Sequence, residues 1–144
     1  MSDNIFFDTN VLVYGFDSLD FHKHDIASRL IIESFEQGTG VLSTQVLKEF
    51  YVTVTQKISH TMPVEKAEQV VRDFALWPVV ETTVPLILRG IHIQLKNRLS
   101  FWDAMIVAAA KNGDCSLLYT EDLGHDTVIE GIRIRNPFAN HEPA

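Results

Sequence analysis

The sequence contains a single cysteine, Cys115, and no apolar run long enough to cross a bilayer. One cysteine excludes an internal disulfide and any zinc site built from several cysteines, and short apolar runs argue against a transmembrane helix. The N-terminus also lacks a basic segment followed by an apolar stretch, so we expect no signal peptide. We therefore expect a cytoplasmic protein with no membrane association.

Positive charge is scarce as well: 12 lysines and arginines face 19 aspartates and glutamates, for a net charge of −7. This balance argues against a protein that coats nucleic acid, which would be basic. It leaves room for an enzyme that gathers acids at one place and binds cations there. The 144 residues and the hydrophobic content of 46% fit one globular domain. We assign residues 1–138 to that domain and residues 139–144 to a short frayed tail.

Short apolar segments alternate with segments of helical periodicity along the chain. The apolar segments "NIFF", "VLS", "WPVVET" and "SLLYT" predict buried strands, and the alternating "IRIRN" predicts an edge strand. Helical spacing of apolar residues predicts helices at about residues 25–35, 44–57, 64–74, 83–95 and 100–113. Strands separated by helices indicate an α/β fold with a mostly parallel sheet, whose ligands bind beyond the carboxyl ends of the strands.

Acidic residues stand beside strongly apolar sequence at four places. Asp8 follows "IFF", Glu49 lies in "STQVLKEFY", Asp103 lies in "SFWDAMIVAAA", and Glu121 and Asp122 follow "LLYT". Acids that converge in space repel one another, and a divalent cation removes that repulsion. A ligand set made of oxygens suits Mg²⁺ or Mn²⁺ rather than zinc. Carboxylate-held Mg²⁺ usually works on phosphates, so the acids predict phosphate chemistry.

The segments "FFDTNVLVYGF", the glutamate after "LSTQ", "SFWDAMIVAAA" and "LLYTEDL" match, in order and spacing, the four acidic motifs of PIN-domain nucleases. Among these the chain resembles most closely the VapC-type toxins of bacterial toxin–antitoxin pairs, and the resemblance covers nearly the whole chain. It implies a three-layer α/β/α fold with a mostly parallel sheet. It also implies an endoribonuclease that depends on Mg²⁺ or Mn²⁺, acts on RNA, is inhibited by a small antitoxin protein and forms a homodimer.

The resemblance also implies roles for individual residues. Four acids would be catalytic and would hold the metal: Asp8, Glu49, Asp103 and Asp122. Asn10 would hydrogen-bond to Asp8 and orient it. Thr120 would lie near the metal or the scissile phosphate. Glu121 would have a supporting role at most, because adjacent residues at a strand end usually point in different directions.

Other interpretations of the same residues remain open. Asp8 suits an Asx-turn, Glu49 could be a solvated helix residue, and "SFWD" has the form of a capping box in which Asp103 completes a helix start. Asp122 could cap the segment that follows the strand. A phosphatase with an aspartyl nucleophile would want a second acid at position 10, where Asn10 stands. A non-catalytic PIN-like scaffold that binds protein or RNA is a further alternative.

Overall fold

A computed structural model of the chain describes residues 2–139, so the tail assigned to residues 139–144 lies outside the described residues except for Ala139. Within them the strands are β1 (Asn4–Phe7), β2 (Gly40–Ser43), β3 (Val79–Val80), β4 (Cys115–Tyr119), β5 (Thr127–Ile129) and β6 (Ile132–Arg135). They form one sheet in the order β3-β2-β1-β4-β6-β5. All neighbouring pairs are parallel except the β5–β6 hairpin.

Helices connect the strands and cover the sheet. They are α1 (Thr9–Tyr14), α2 (Phe21–Gln37), α3 (Thr44–Val52), α4 (Val64–Phe74), α5 (Val84–Asn97) and α6 (Phe101–Asn112). A π-helical turn, Thr53–Lys57, extends α3. The predicted three-layer α/β/α fold with a mostly parallel sheet is confirmed. No helix in residues 2–139 is long and apolar enough to cross a membrane.

The core lies between the sheet and α6, which is apolar around most of its circumference. Every residue from Ala104 to Ala110 is buried, as are Phe6 and Phe7 of β1. A helix that is hydrophobic on all sides must be covered on all sides, and α5 supplies the outer cover. Gly90 of α5 lies directly against Met105, where a Cβ would collide with the thioether. This close packing fixes the start of α6 at the carboxyl edge of the sheet.

Three elements differ from the sequence prediction: β6 is not at the edge of the sheet, and neither β5 nor α1 was predicted. The segment "IRIRN" was expected at an edge, but β6 lies between β4 and β5, and β5 is the edge strand. Alternation reports only that one face is buried, and Ile132 and Ile134 are indeed buried, so it cannot distinguish an inner strand from an outer one. The hairpin turns at Glu130 and Gly131, whose φ angles of 53° and 80° are typical of a type I′ turn.

The unpredicted helix α1 begins directly after β1, and Asp8 is its N-cap residue. It keeps Val11, Leu12 and Val13 buried, so this apolar segment belongs to the core. Its first turn lies at the carboxyl edge of the sheet, as do the first turns of α3 and α6, because each helix lies in a connection between parallel strands.

Candidate active site

The carboxyl edge of the sheet carries a cleft of about 680 Å³. The four predicted acids line it: Asp8, Glu49, Asp103 and Asp122. Four separate elements supply them, namely the end of β1, the second turn of α3, the first turn of α6 and the loop after β4. The structure therefore brings together the four acids on which the sequence analysis depended.

Asp8 is the most buried of the four acids, with 6% of its surface exposed. One carboxylate oxygen, Oδ1, accepts a hydrogen bond of 2.7 Å from the backbone N–H of Thr9. The other, Oδ2, accepts one of 2.9 Å from Thr120 Oγ1. Burial raises the pKa of Asp8 to about 6, assisted by the charges of Asp122 and Glu49 and opposed by the two hydrogen bonds. Asp8 therefore caps α1, and burial together with the neighbouring charges destabilises its ionised form.

Thr120 is fully buried and connects two of the acids. Its hydroxyl donates to Asp8 and accepts a 3.1 Å hydrogen bond from the backbone N–H of Asp122. One hydroxyl therefore bridges Asp8 and the loop that carries Asp122. The expectation that Thr120 lies near a metal or the scissile phosphate stays a prediction.

The sequence analysis expected Asn10 to hydrogen-bond to Asp8 and orient it, but the structure shows a different partner for Asn10. Its Nδ2 donates instead to Asp122 Oδ2 at 2.8 Å. The two oxygens of Asp8 have other donors, in Thr9 and Thr120. The other amide atom, Asn10 Oδ1, is buried and accepts no hydrogen bond in the described part of the chain. This oxygen therefore remains available as a metal ligand in a residue that lines the cleft.

Glu49 is exposed, as a solvated helix residue would be, but its side chain is hydrogen-bonded to another residue of the cleft. Thr9 Oγ1 donates to Glu49 Oε1 at 2.8 Å. Thr9 thereby links Glu49 to Asp8, since its backbone N–H bonds to the Asp8 carboxylate. The sequence analysis did not single out Thr9. Its position directly after Asp8, at the start of a short helix, was the available signal.

Asp103 takes part in the cap of α6 through its backbone but not through its side chain. The hydroxyl of Ser100 accepts a 3.1 Å hydrogen bond from the backbone N–H of Asp103, so Ser100 is the N-cap of α6. A full capping box would also have the acidic side chain bond back to the backbone of the cap residue. No donor within residues 2–139 hydrogen-bonds to the Asp103 carboxylate, which lines the cleft.

Glu121 does not join the other acids. It is absent from the lining of the cleft, and its Oε2 forms a 2.9 Å ion pair with Lys23 Nζ. Tyr14 donates its hydroxyl to Glu121 Oε1 at 2.9 Å, and the Lys23 ammonium lies 4.9 Å from the Tyr14 ring centroid. The expected supporting role at the metal is therefore not what the structure favours, because adjacent residues after the strand point in different directions. Glu121 instead ties the loop after β4 to α2.

The potential metal ligands of the cleft are of the type that a hard divalent cation prefers. They are oxygen atoms, which include the carboxylate of Asp103, free of hydrogen bonds, and the unpaired amide oxygen of Asn10. Oxygen ligands of this type suit Mg²⁺ or Mn²⁺. Within residues 2–139, however, no three acidic, histidine or cysteine side chains are placed closely enough to hold one ion. Glu49 and Asp122 each accept a hydrogen bond from a neutral donor, Thr9 and Asn10 respectively.

Comparison with known proteins gives one family. A profile of the PIN domain matches residues 5–130. A search of curated protein sequences finds no significant match.

Several solved structures share the fold. VapC20 of Mycobacterium tuberculosis, described as a toxin that cleaves the sarcin–ricin loop, is 20% identical with a TM-score of 0.64, covering 83% of this chain and 90% of that one. A chain of a toxin–antitoxin complex from Klebsiella pneumoniae is 17% identical with a TM-score of 0.65, over 93% and 98% of the two chains. A chain of DNA-bound VapBC from Salmonella typhimurium is 20% identical with a TM-score of 0.63, over 94% and 98%.

Proposed function

The chain belongs to the PIN-domain family, and on that premise we propose that it is an endoribonuclease dependent on Mg²⁺ or Mn²⁺, the toxin of a toxin–antitoxin pair. One observation carries the proposal: four acids from distant parts of the sequence line a single cleft. A scaffold that only binds protein or RNA has no need of this convergence, since uncompensated carboxylates repel both one another and RNA.

In this proposal each residue of the cleft has a task. Asp8, Glu49, Asp103 and Asp122 hold the cation, and Asp103 offers the carboxylate with no competing hydrogen bond. Thr120 and Asn10 hold the acids in position through the bonds to Asp8 and Asp122. A divalent cation bound there would supply Lewis-acid activation of water and neutralise charge that develops on the phosphate.

A partner protein is part of the proposal. The Klebsiella and Salmonella structures are complexes, described as toxin–antitoxin and as VapBC bound to DNA, and a third neighbour is described as FitAB bound to DNA. We infer that this chain is likewise bound by a small antitoxin. An antitoxin that fills the cleft would keep RNA away from the acids.

Self-association is also proposed, supported by an apolar stripe along α5. Val84, Leu88, Ile91 and Leu95 recur at helical spacing, and each is between 38% and 75% exposed. A continuous apolar stripe on a helix surface marks a contact with another chain more often than scattered apolar residues do. Light scattering should therefore find a dimer that Leu88→Glu disrupts. The control is Leu76→Glu, since Leu76 is also exposed but lies outside the stripe, and a monomeric wild type contradicts the proposal.

Cleavage of RNA by the purified protein tests the main proposal. Wild type should cut single-stranded RNA with Mn²⁺ or Mg²⁺ and should stop with EDTA. Asp103→Asn should lose most activity, while Asp3→Asn, an exposed acid outside the cleft, should keep it. Sequencing the cleaved ends in total cellular RNA would identify the substrate. RNA binding without metal-dependent cleavage would support the scaffold alternative instead.

A further inference from the structure

Trp102 has an exposure that the fold does not explain. It is 64% exposed, although it lies in the first turn of the buried helix α6. Tryptophan side chains are usually well covered, and the other tryptophan, Trp77, is only 7% exposed and packs against Phe7 and Phe74. Trp102 makes a ring contact with Phe101 alone among the described residues. Most of a large aromatic surface is therefore left available to a ligand.

The indole stands where two clefts meet. The second cleft, of about 420 Å³, is lined by Gln45, Lys48, Glu49, Thr82, Ile87, Phe101, Trp102 and Met105. It shares Gln45, Lys48, Glu49 and Trp102 with the cleft that carries the acids. Trp102 is also the residue directly before Asp103. A chain lying across the acids toward the second cleft would therefore pass the indole.

Lys48 places a positive charge at the border between the two clefts. It is exposed, lines both clefts and forms no ion pair with any acid of residues 2–139. Three other lysines do form ion pairs, Lys23 with Glu121, and Lys96 and Lys111 with Glu130. Lys57 and Lys66 form none within residues 2–139, but Lys48 is the lysine that lines both clefts. An uncommitted ammonium beside an exposed aromatic ring fits a phosphate next to a base.

We propose that Trp102 is a stacking platform for a base of single-stranded RNA beside the scissile phosphate, with Lys48 contacting the neighbouring backbone. The inference rests on the proposed ribonuclease function. An aromatic face next to a cationic groove is the usual arrangement for binding single strands. It requires an unpaired strand, because the faces of bases in a duplex are already stacked. Continuity with the acidic cleft and the free lysine favour RNA over a protein segment as the occupant.

The test is the affinity for a labelled short oligoadenylate, measured by fluorescence anisotropy at low salt. Trp102→Leu should weaken binding by about 5- to 100-fold, the range for loss of one base–aromatic stack. Trp102→Phe should recover most of that loss because it restores a ring. Leu76→Ala removes an exposed apolar side chain outside both clefts and should bind like wild type. Circular dichroism establishes that each variant is folded.

Two further readouts separate contact from indirect effects. Rapid mixing of wild type with oligoadenylate in Mg²⁺ should quench tryptophan emission before cleavage, and Trp102→Leu should lose that quench because only the buried Trp77 remains. Lys48→Met should reduce the slope of log affinity against log salt by about one, as expected for one phosphate contact. Lys66→Met, which removes an exposed lysine of α4, should leave the slope unchanged.

The outcomes distinguish this inference from the proposed function. A wild type that binds and is quenched but never cleaves contradicts the ribonuclease proposal and leaves the stacking site standing. A wild type that cleaves while Trp102→Leu binds and cleaves equally well overturns the stacking site alone. Absence of both binding and cleavage overturns both. Unchanged RNA affinity together with lost dimerisation or lost antitoxin binding in Trp102→Leu would make the indole a protein contact, which also overturns the proposal.

Discussion

Replacing Asp8 with asparagine should stabilise the metal-free protein at neutral pH. Asp8 is buried, and its pKa rises from an ordinary value of 3.8 to about 6 in the fold, chiefly through burial. This difference corresponds to about 3 kcal/mol of unfavourable free energy when the carboxylate is fully ionised. Asparagine keeps an acceptor for the Thr9 N–H but cannot accept from Thr9 and Thr120 at once. That loss costs about 1 kcal/mol, so the net gain in unfolding free energy should be about 2 kcal/mol.

The sign of the pH dependence follows from the raised pKa. The folded protein holds the proton of Asp8 more tightly than the unfolded chain does, so the destabilisation is absent below about pH 4. It grows as the pH rises between 4 and 6 and is complete above pH 6. Asp8→Asn should therefore be less stable than wild type by up to about 1 kcal/mol at pH 4, where the lost hydrogen bond is little offset, and more stable than wild type at pH 7.5.

Urea unfolding in EDTA at the two pH values measures this difference. Asp3→Asn is the matched control, because Asp3 is exposed and its replacement should change stability by less than about 0.5 kcal/mol at either pH. Millimolar Mn²⁺ should reverse the order, since a ligand that binds only the folded wild type raises its stability by mass action. An Asp8→Asn variant that gains nothing at pH 7.5 over pH 4 would refute the reasoning from burial.

Four other substitutions test contacts in and beside the cleft. Asp103→Asn should abolish most RNA cleavage in a gel assay and leave thermal stability nearly unchanged, whereas Ser100→Ala should lower stability by about 1 kcal/mol through loss of the α6 cap. Thr120→Val should lower unfolding free energy in urea by about 2 kcal/mol and reduce cleavage, because Asp8 loses a hydrogen-bond donor. Lys23→Met should lower the melting temperature by no more than about 3 °C, since its ion pair with the loop after β4 is partly exposed.

The sequence predicted the sheet because its buried strands are short, apolar and bounded by polar residues. It failed at α1, where Val11 to Tyr14 contain two β-branched residues in a run too short for helical periodicity to show. What makes this segment a helix is the Asp8 cap together with burial against the core, and neither is visible in a local window. Tertiary packing overrides weak local propensity in such short elements.

The acids of the cleft were predictable because each one interrupts apolar sequence at the end of a strand or the start of a helix. Their hydrogen-bond partners were not. The bond from Asn10 to Asp122 joins residues 112 positions apart, while Asp8 is bonded by Thr9 and Thr120. Which donor meets which carboxylate is decided by three-dimensional geometry, which neighbours in sequence do not report.

The motif Ser-x-x-Asp at positions 100–103 shows how one pattern can serve two purposes without conflict. The backbone N–H of Asp103 satisfies the cap through Ser100 Oγ, so the start of α6 does not need the Asp103 carboxylate. That carboxylate still lies at the positive end of the helix, where a negative charge is favourable. The same carboxylate is bonded to no donor of residues 2–139 and lines the cleft. Asp103 contributes to the helix cap through its backbone, so its side chain remains available for chemistry. Asp8 differs, because both of its carboxylate oxygens accept hydrogen bonds.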